Sequence, residues 1–334
     1  MDLPLIWAGL IAFAVLAYVV LDGFDLGVGI LFAVEPQDED RDVMVNSIAP
    51  VWDGNETWLV LGGGGLFAVF PLAYAVVMPA LYPAIIGMLL ALVFRGVAFE
   101  FRYRAETQGG RRLWDLSFLL GSTLAAFCQG LTLGGLLQGI RMEGRAYAGG
   151  WWDWLTGFTL LCGVAVVVGY ALLGATWLVW RTEGRLQQRC RAYARWLGVA
   201  TLALIGVVSL WTPYLHPRFA ERWFSWPGLA LTSPVPLLVL LLAWRGWRGL
   251  QRGEDLSPFL CALGWFVLCF AGLGISLFPL MVPPDLTIWQ AAAPRESQLF
   301  LLVGAAVLVP AILAYTGYAY WVFRGKVRPG AGYH

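Results

Sequence analysis

The sequence predicts an all-α polytopic membrane protein of about nine transmembrane helices, and three observations carry that prediction. Of its 334 residues, 59 % are hydrophobic and 13 % charged, whereas about a quarter of a soluble domain is charged. Apolar stretches of the ~20 residues needed to cross a ~30 Å hydrocarbon layer recur along the whole length and leave no room for a sizeable extramembrane domain. Basic residues alternate between successive connections in the way that nine crossings would arrange.

The first stretch, 5–34, opens with MDLPLIWAGL. This segment has neither a basic leading region nor a small-residue cleavage site, so it reads as a retained span and not a signal peptide. The second and third, 50–73 and 76–100, are joined around Pro71–Ala75 by so short a turn that they must form a tight hairpin. The remaining spans are expected at 113–140, 155–180, 197–215, 227–244, 258–280 and 298–323. Pro79, Pro83, Pro279, Pro283, Pro284 and Pro310 should kink or end helices. Trp151, Trp152, Trp154, Trp223 and Trp226 fall near expected span ends, where an interfacial aromatic belt belongs. With no long polar linker or low-complexity tract, residues 1–334 are expected to form a single transmembrane domain.

The formal net charge is +1, which gives no overall field for nucleic acid or another anionic partner. Placement is more informative. Connections following odd-numbered spans hold sixteen basic residues, from Arg41 to Arg328, and those following even-numbered spans hold five, while Arg95 lies inside a span. The positive-inside rule then puts the N-terminus outside and the C-terminus in the cytoplasm.

Few residues could carry metal chemistry. A haem is held by His, with Met, Cys or Tyr as alternatives, and the two histidines are His216 in the loop PYLHPRF and His334 at the end. Met78 and Met88 fall where helix packing explains them. Cys128, Cys162, Cys190, Cys261 and Cys269 contain no CxxC pair and mostly lie in spans, which suits small packing residues. No metal site is therefore expected on this chain. The glycine run Gly62–Gly65 lacks the Lys and Ser/Thr of a phosphate loop and is better suited to close helix contact.

Carboxylates remain. Asp22 and Asp25 in VVLDGFDLGVGI share one helix face by their i, i+3 spacing, and Asp53 and Glu56 in PVWDGNETWLV repeat it. A charged side chain at the bilayer centre costs roughly 2.5 kcal/mol or more, so such acids face protein or water and mark functional candidates. Arg95, in FRGVAFEFRYR, is the expected structural charge partner for a buried acid, and Glu100 is expected at the cytoplasmic interface, solvated, paired with Arg102, or at a proton entry. Gly23, Gly27 and Gly29 form a small-residue face for close helix approach, and Asn55 and Thr57 add polar capacity.

The blocks LDGFDLGVGIL (21–31), NSIAPVWDGNETWLVLGGGGLFAVFPLAY (46–74), FRGVAFEFR (94–102) and PAILAYTGYAYWVFRGKV (310–327) together resemble subunit II of the cytochrome bd-type quinol oxidases of bacterial respiratory chains. The resemblance implies an obligate heterodimer with a subunit I that carries two b-type haems, one d-type haem and the quinol oxidation loop. It implies electrons passing from quinol to dioxygen, protons taken from the cytoplasm without a pump, and the bacterial inner membrane as location. The implied fold is two four-helix bundles plus one peripheral helix. It also implies a proton path through Asp25 of DGFD and Asp53 of WDGN, with Asp22, Glu56 and Glu100 in support, and a possible bound quinone and small single-span accessory subunit. Lipids are the remaining partners; nucleic acid is not one.

Two other readings fit the residues alone: a stand-alone proton-coupled transporter, since intramembrane acids and broken helices occur there too, and a purely structural subunit.

Overall fold

A computed structural model describes residues 1–328, so His334 lies outside the described residues. Its helices are α1 (Leu3–Ile30), α2 (Asp38–Ile48), α3 (Trp52–Val69), α4 (Pro71–Tyr103), α5 (Gln108–Gln138), α6 (Gly157–Arg181), α7 (Gly184–Trp211), α8 (Pro217–Phe224), α9 (Gly228–Thr232), α10 (Pro234–Arg252), α11 (Ser257–Leu277), α12 (Ile288–Ala291) and α13 (Arg295–Val322). Two small antiparallel hairpins that the hydropathy did not signal, β1–β2 (Met142–Glu143, Ala146–Tyr147) and β3–β4 (Leu280–Val282, Leu286–Thr287), lie in connections.

Among the described residues, eight helices are long and apolar enough to cross a membrane, one fewer than the nine spans expected. The expected second span is present as α3, an 18-residue helix. At 1.5 Å per residue it is about 27 Å long, but Asp53, Asn55, Glu56, Thr57 and the glycine run lower its hydropathy. Two boundaries also differ. The hairpin between the second and third spans closes at Phe70 alone, because Pro71 starts α4 with its fixed φ. The sixth span begins at Gly184, well before the expected 197, since its arginine-rich first turns are helical and ion-paired.

Helices α1, α3, α4 and α5 pack as one group and α6, α7, α10 and α11 as a second, joined through α6 against α1 and α5. Helix α13 lies outside both, touching α1 and α3, and no residue in its most apolar window is buried. Close approach at the joint depends on glycine: a Cβ on Gly27 would stand 1.8 Å from the Tyr170 carbonyl oxygen, and one on Gly174 2.3 Å from the Gly27 carbonyl carbon. Of the glycine run, Gly62 and Gly65 face Val15 and Ile11 of α1, while Gly63 and Gly64 face open space.

Interior prolines Pro79, Pro83 and Pro310 are carried within α4 and α13, while Pro279, Pro283 and Pro284 fall in and around the β3–β4 hairpin. At the end of the molecule bearing α2, opposite charges meet. Arg41 bonds Asp115 at 3.0 Å, Arg189 bonds Glu35 at 3.0 Å and also Asp40, and Lys326 bonds Asp255 at 2.6 Å.

Candidate charged site within the helices

The last third of α1 carries Asp22 and Asp25 into the interior, where both are fully buried. They end in different partners. Arg95, a fully buried residue of α4, donates from Nη2 to Asp22 Oδ1 at 3.1 Å and from Nη1 to Glu56 Oε2 at 3.5 Å. Asn55 of α3 donates from Nδ2 to Asp25 Oδ2 at 2.7 Å, and its Oδ1 accepts from the Tyr320 hydroxyl of α13 at 3.0 Å. The Arg95 guanidinium also lies over the rings of Trp52 (5.0 Å) and Phe99 (5.6 Å), contacts that stabilise a desolvated cation. Two carboxyls, those of Asp22 and Glu56, thus share one guanidinium, while Asp25 is held by Asn55 alone.

The other predicted site residues lie elsewhere. Glu56 is part-buried, its side chain 27 % exposed. Asp53, one turn earlier on α3, is exposed on the outside of the helix group and does not join the buried cluster. Glu100 is exposed, and Arg102 bonds Asp42 and Asp115 in its place, because Arg102 points inward toward α2 and α5 while Glu100 points out. Asp42 lies outside the spans. Burial pushes its carboxyl up, but hydrogen bonds from Arg111 and Arg102 outweigh this and hold it below its ordinary value.

Sequence reasoning did not single out a second polar group beside the cluster. Tyr170 of α6 donates to Gln129 Oε1 of α5 at 2.7 Å, and Gln129 Nε2 donates to the Tyr18 hydroxyl at 2.7 Å. Tyr18 precedes Asp22 by four residues, a helical neighbour that spacing alone could have flagged. Gln129 and Tyr170 carry no local signal, since only tertiary packing brings them there.

The chain's residues do not fit a haem site. His216 Nε2 is 2.9 Å from the Gln138 carbonyl oxygen at a loop, Met88 packs in the hydrophobic core, and among the described residues no three His, Cys, Asp or Glu side chains converge.

Fold and site together define a multi-pass helical membrane protein that buries an ion pair and two aspartates within its helix bundle. A sequence-family profile described as "Cytochrome bd terminal oxidase subunit II" matches residues 3–323. The chain is 32 % identical to cytochrome bd-I ubiquinol oxidase subunit 2 of Escherichia coli K12, covering 97 % of this chain and 95 % of that one. It is 30 % identical to cytochrome bd ubiquinol oxidase subunit 2 of Bacillus subtilis, covering 96 % of each. The bd oxidase structure from Geobacillus thermodenitrificans superposes with a TM-score of 0.76 over 98 % of this chain and all of that one, at 17 % identity, a likeness of fold. The chain belongs to the family of subunit II of cytochrome bd terminal oxidases. It is a multi-pass subunit of a bacterial respiratory oxidoreductase, which displaces the stand-alone transporter reading.

Proposed function

We propose that this chain is the haem-free partner of a subunit I bearing two b-type haems and one d-type haem, and that it both scaffolds that subunit and leads protons to it from the cytoplasm. The complex oxidises quinol, the donor class in the names of the relatives above, and reduces dioxygen to water. The observation that carries the proton route is a gradient of exposure along neighbouring acids. Asp53 is exposed, Glu56 is part-buried, and Asp22 and Asp25 are fully buried. The series runs from the surface into the bundle, with Asp25 held by the neutral Asn55 and therefore free of a fixed counter-ion.

Asp53 and Thr57 give α3 an outward polar edge that hydrocarbon would not solvate. That edge, with the bare Gly63 and Gly64, suits contact with subunit I. The sixteen-to-five partition of basic residues supports a cytoplasmic C-terminus and an external N-terminus. Glu100, exposed near that side, is a weaker entry candidate.

Asp25→Asn and Asp53→Asn, each in the assembled complex, are expected to lower oxygen consumption by roughly ten- to a hundredfold with haem content preserved. Wild-type turnover in an assembled Asp25→Asn complex would remove Asp25 from the route, and loss of the haem spectrum in Asp53→Asn would make Asp53 an assembly residue.

A further inference from the structure

We propose that the groove between α7 and α10 binds one anionic phospholipid, its acyl chain lying against α6 and α11 and its phosphate held at the mouth by Arg195 and Arg248. The site stands apart from the acids of α1 and α3 and goes beyond the function proposed above, adding a lipid partner of defined charge.

The groove exists because α7 and α10 lean on other helices. Helix α7 packs on α6 and α10 on α11, but the two meet each other little, and both leave most of their apolar surface uncovered. The gap is partly open and holds about 490 Å³ of empty space, within the size range of ligand sites. Leu172 of α6 and Trp265 of α11 form its floor, with Val199 and Leu202 of α7 and Trp247 of α10 at its sides. Gly198 helps to keep it open, since an added Cβ would meet nothing nearer than Leu172 Cδ1 at 3.9 Å. The polar groups that line it are already used. Thr176 Oγ1 donates to the Leu172 and Leu173 carbonyl oxygens at 2.9 and 3.1 Å, and Trp265 Nε1 donates to the Val239 carbonyl oxygen at 3.0 Å. The groove therefore offers an acyl chain the apolar contact it needs and gives the carbonyls of a quinone ring no strong donor.

Charge selects the headgroup. The mouth lies where α7 begins and α10 ends, and most acids there are taken: Asp255 by Arg191 and Lys326, and Glu254 by Arg245 at 2.7 Å. Arg195 and Arg248 are exposed and form no ion pair among the described residues. Arg195 shares a helix face with Gly198, Val199 and Leu202 by its i, i+3, i+4, i+7 spacing. Its Nη2 reaches across to the Leu250 carbonyl oxygen at 3.5 Å, which sets the guanidinium over the mouth with its remaining N–H groups open to a phosphate. Arg248 falls between the groove residues Trp247 and Leu250 and lies over the Trp244 ring at 4.7 Å. Trp196, Trp244 and Trp247 are all exposed beside them, and tryptophan marks headgroup depth. Two unpaired guanidiniums above an apolar slot match a phosphodiester that carries acyl chains, whereas a zwitterionic headgroup would bring a cation to the same place. Basic pockets between transmembrane helices on the cytoplasmic side hold anionic headgroups, and the orientation proposed above puts this end there.

The test uses the complete oxidase complex, reconstituted with dioleoyl phosphatidylglycerol or with dioleoyl phosphatidylcholine, which has the same chains and no net charge. Native mass spectrometry counts the lipids that each complex retains as detergent strips them, and a phosphatidylglycerol with a photoactivatable group in its chain locates the site. Wild type should hold one phosphatidylglycerol in preference to phosphatidylcholine, and the photolabel should fall on peptides of α7 and α10. Arg195→Gln and Arg248→Gln should each lower that preference about fivefold, the scale of one arginine near an anionic lipid surface. Gly198→Leu should block the chain and lower retention of both lipids. Arg185→Gln is the control, since Arg185 is exposed on α7 without an ion pair but lies well before the groove; it should change nothing. Haem content checks that each variant has assembled, and should Gly198→Leu fail to do so, the exposed arginines still carry the test. A wild type that holds both lipids alike, a double arginine variant that keeps the preference, or an equal loss in Arg185→Gln overturns the proposal. So does Gly198→Leu displacing a bound quinone while phosphatidylglycerol stays in place, which would make the groove a quinone site.

Discussion

Arg95 and Asp22 close an ion pair at 3.1 Å in which neither side chain has any exposed surface. A lone arginine there would carry the full cost of desolvation. The pair is tolerable because the guanidinium also reaches Glu56 and lies over Trp52 and Phe99, so the same contacts that offset its burial lock α4 against α1 and α3. Charge and packing are therefore one structural device here.

Removing only one member should be costly. Arg95→Leu leaves buried carboxyls without their cation and is expected to destabilise the subunit by about 3–5 kcal/mol. Arg95→Leu combined with Asp22→Leu should cost less than Arg95→Leu alone, because no unpaired charge of the pair stays behind. The yield of haem-loaded complex and its thermal midpoint measure both; a double variant worse than the single one would mean that the site needs its charges for assembly.

Gly27→Ala is the corresponding test of backbone approach. The new methyl would lie 1.8 Å from the Tyr170 oxygen and 2.7 Å from the Gly174 nitrogen, both rigid backbone atoms. The two helix groups must separate, at a cost of about 1–3 kcal/mol or more. Gly9→Ala, in the same helix with nothing within 4 Å, should be neutral or stabilising by about 0.4–1 kcal/mol. Thermal unfolding of the two purified complexes side by side distinguishes a packing effect from a general dislike of alanine in α1.

Which parts of this were legible in the sequence follows from the range of the interactions. Spans are local and apolar, so hydropathy located them, and the i, i+3 acids of α1 and α3 stood out because charge is rare in such stretches. Helix α3 was legible as a helix but fails a purely apolar test because its first turns carry the candidate acids. Asp22 and Asp25 share a helix face, yet they face Arg95 and Asn55 separately, a distinction made by α4 and α3 and not by α1. Gln129 and Tyr170 could not be read at all, since nothing near them in sequence distinguishes them from ordinary polar residues of a span. Arg102 lies two residues from Glu100, but α2 supplies Asp42 and α5 supplies Asp115, partners that no local rule would offer.

Acid sensitivity should appear at Asp42, outside the spans. Burial raises its proton affinity, but the bonds from Arg111 and Arg102 more than offset this and leave the folded carboxyl below the ordinary value. A group lowered in this way stabilises the fold at every pH above the unfolded carboxylate value, about 3.9, and loses that contribution only as pH falls through the lower folded value. Asp42→Asn should therefore lower the melting temperature at neutral pH by an amount that stays constant down to about pH 5 and closes only below about pH 4. A gap that closed between pH 7 and pH 5 would contradict the lowered carboxyl.

Helix α13 buries little of itself, yet Tyr320 reaches across to Asn55 at 3.0 Å, and the same amide donates to Asp25 at 2.7 Å. The end of α13 is tied down independently, by Arg181 on the Phe323 carbonyl and by Lys326 on the Asp255 carboxylate. Losing the Tyr320 hydroxyl should leave the helix in place and loosen only Asn55. Asn55→Leu, which removes the donor to Asp25, should then cost roughly tenfold or more in oxygen consumption per haem, in line with a hydrogen bond to a charged group at about 1.5–3 kcal/mol. Tyr320→Phe should cost roughly fivefold or less, the scale of a neutral bond near 1 kcal/mol. Both variants should assemble with wild-type haem content, so activity per haem separates them. If Tyr320→Phe proved the more damaging change, the tyrosine would be acting on Asp25 by a route other than Asn55, and the order of side chains inferred here would have to be rebuilt from α13 inward.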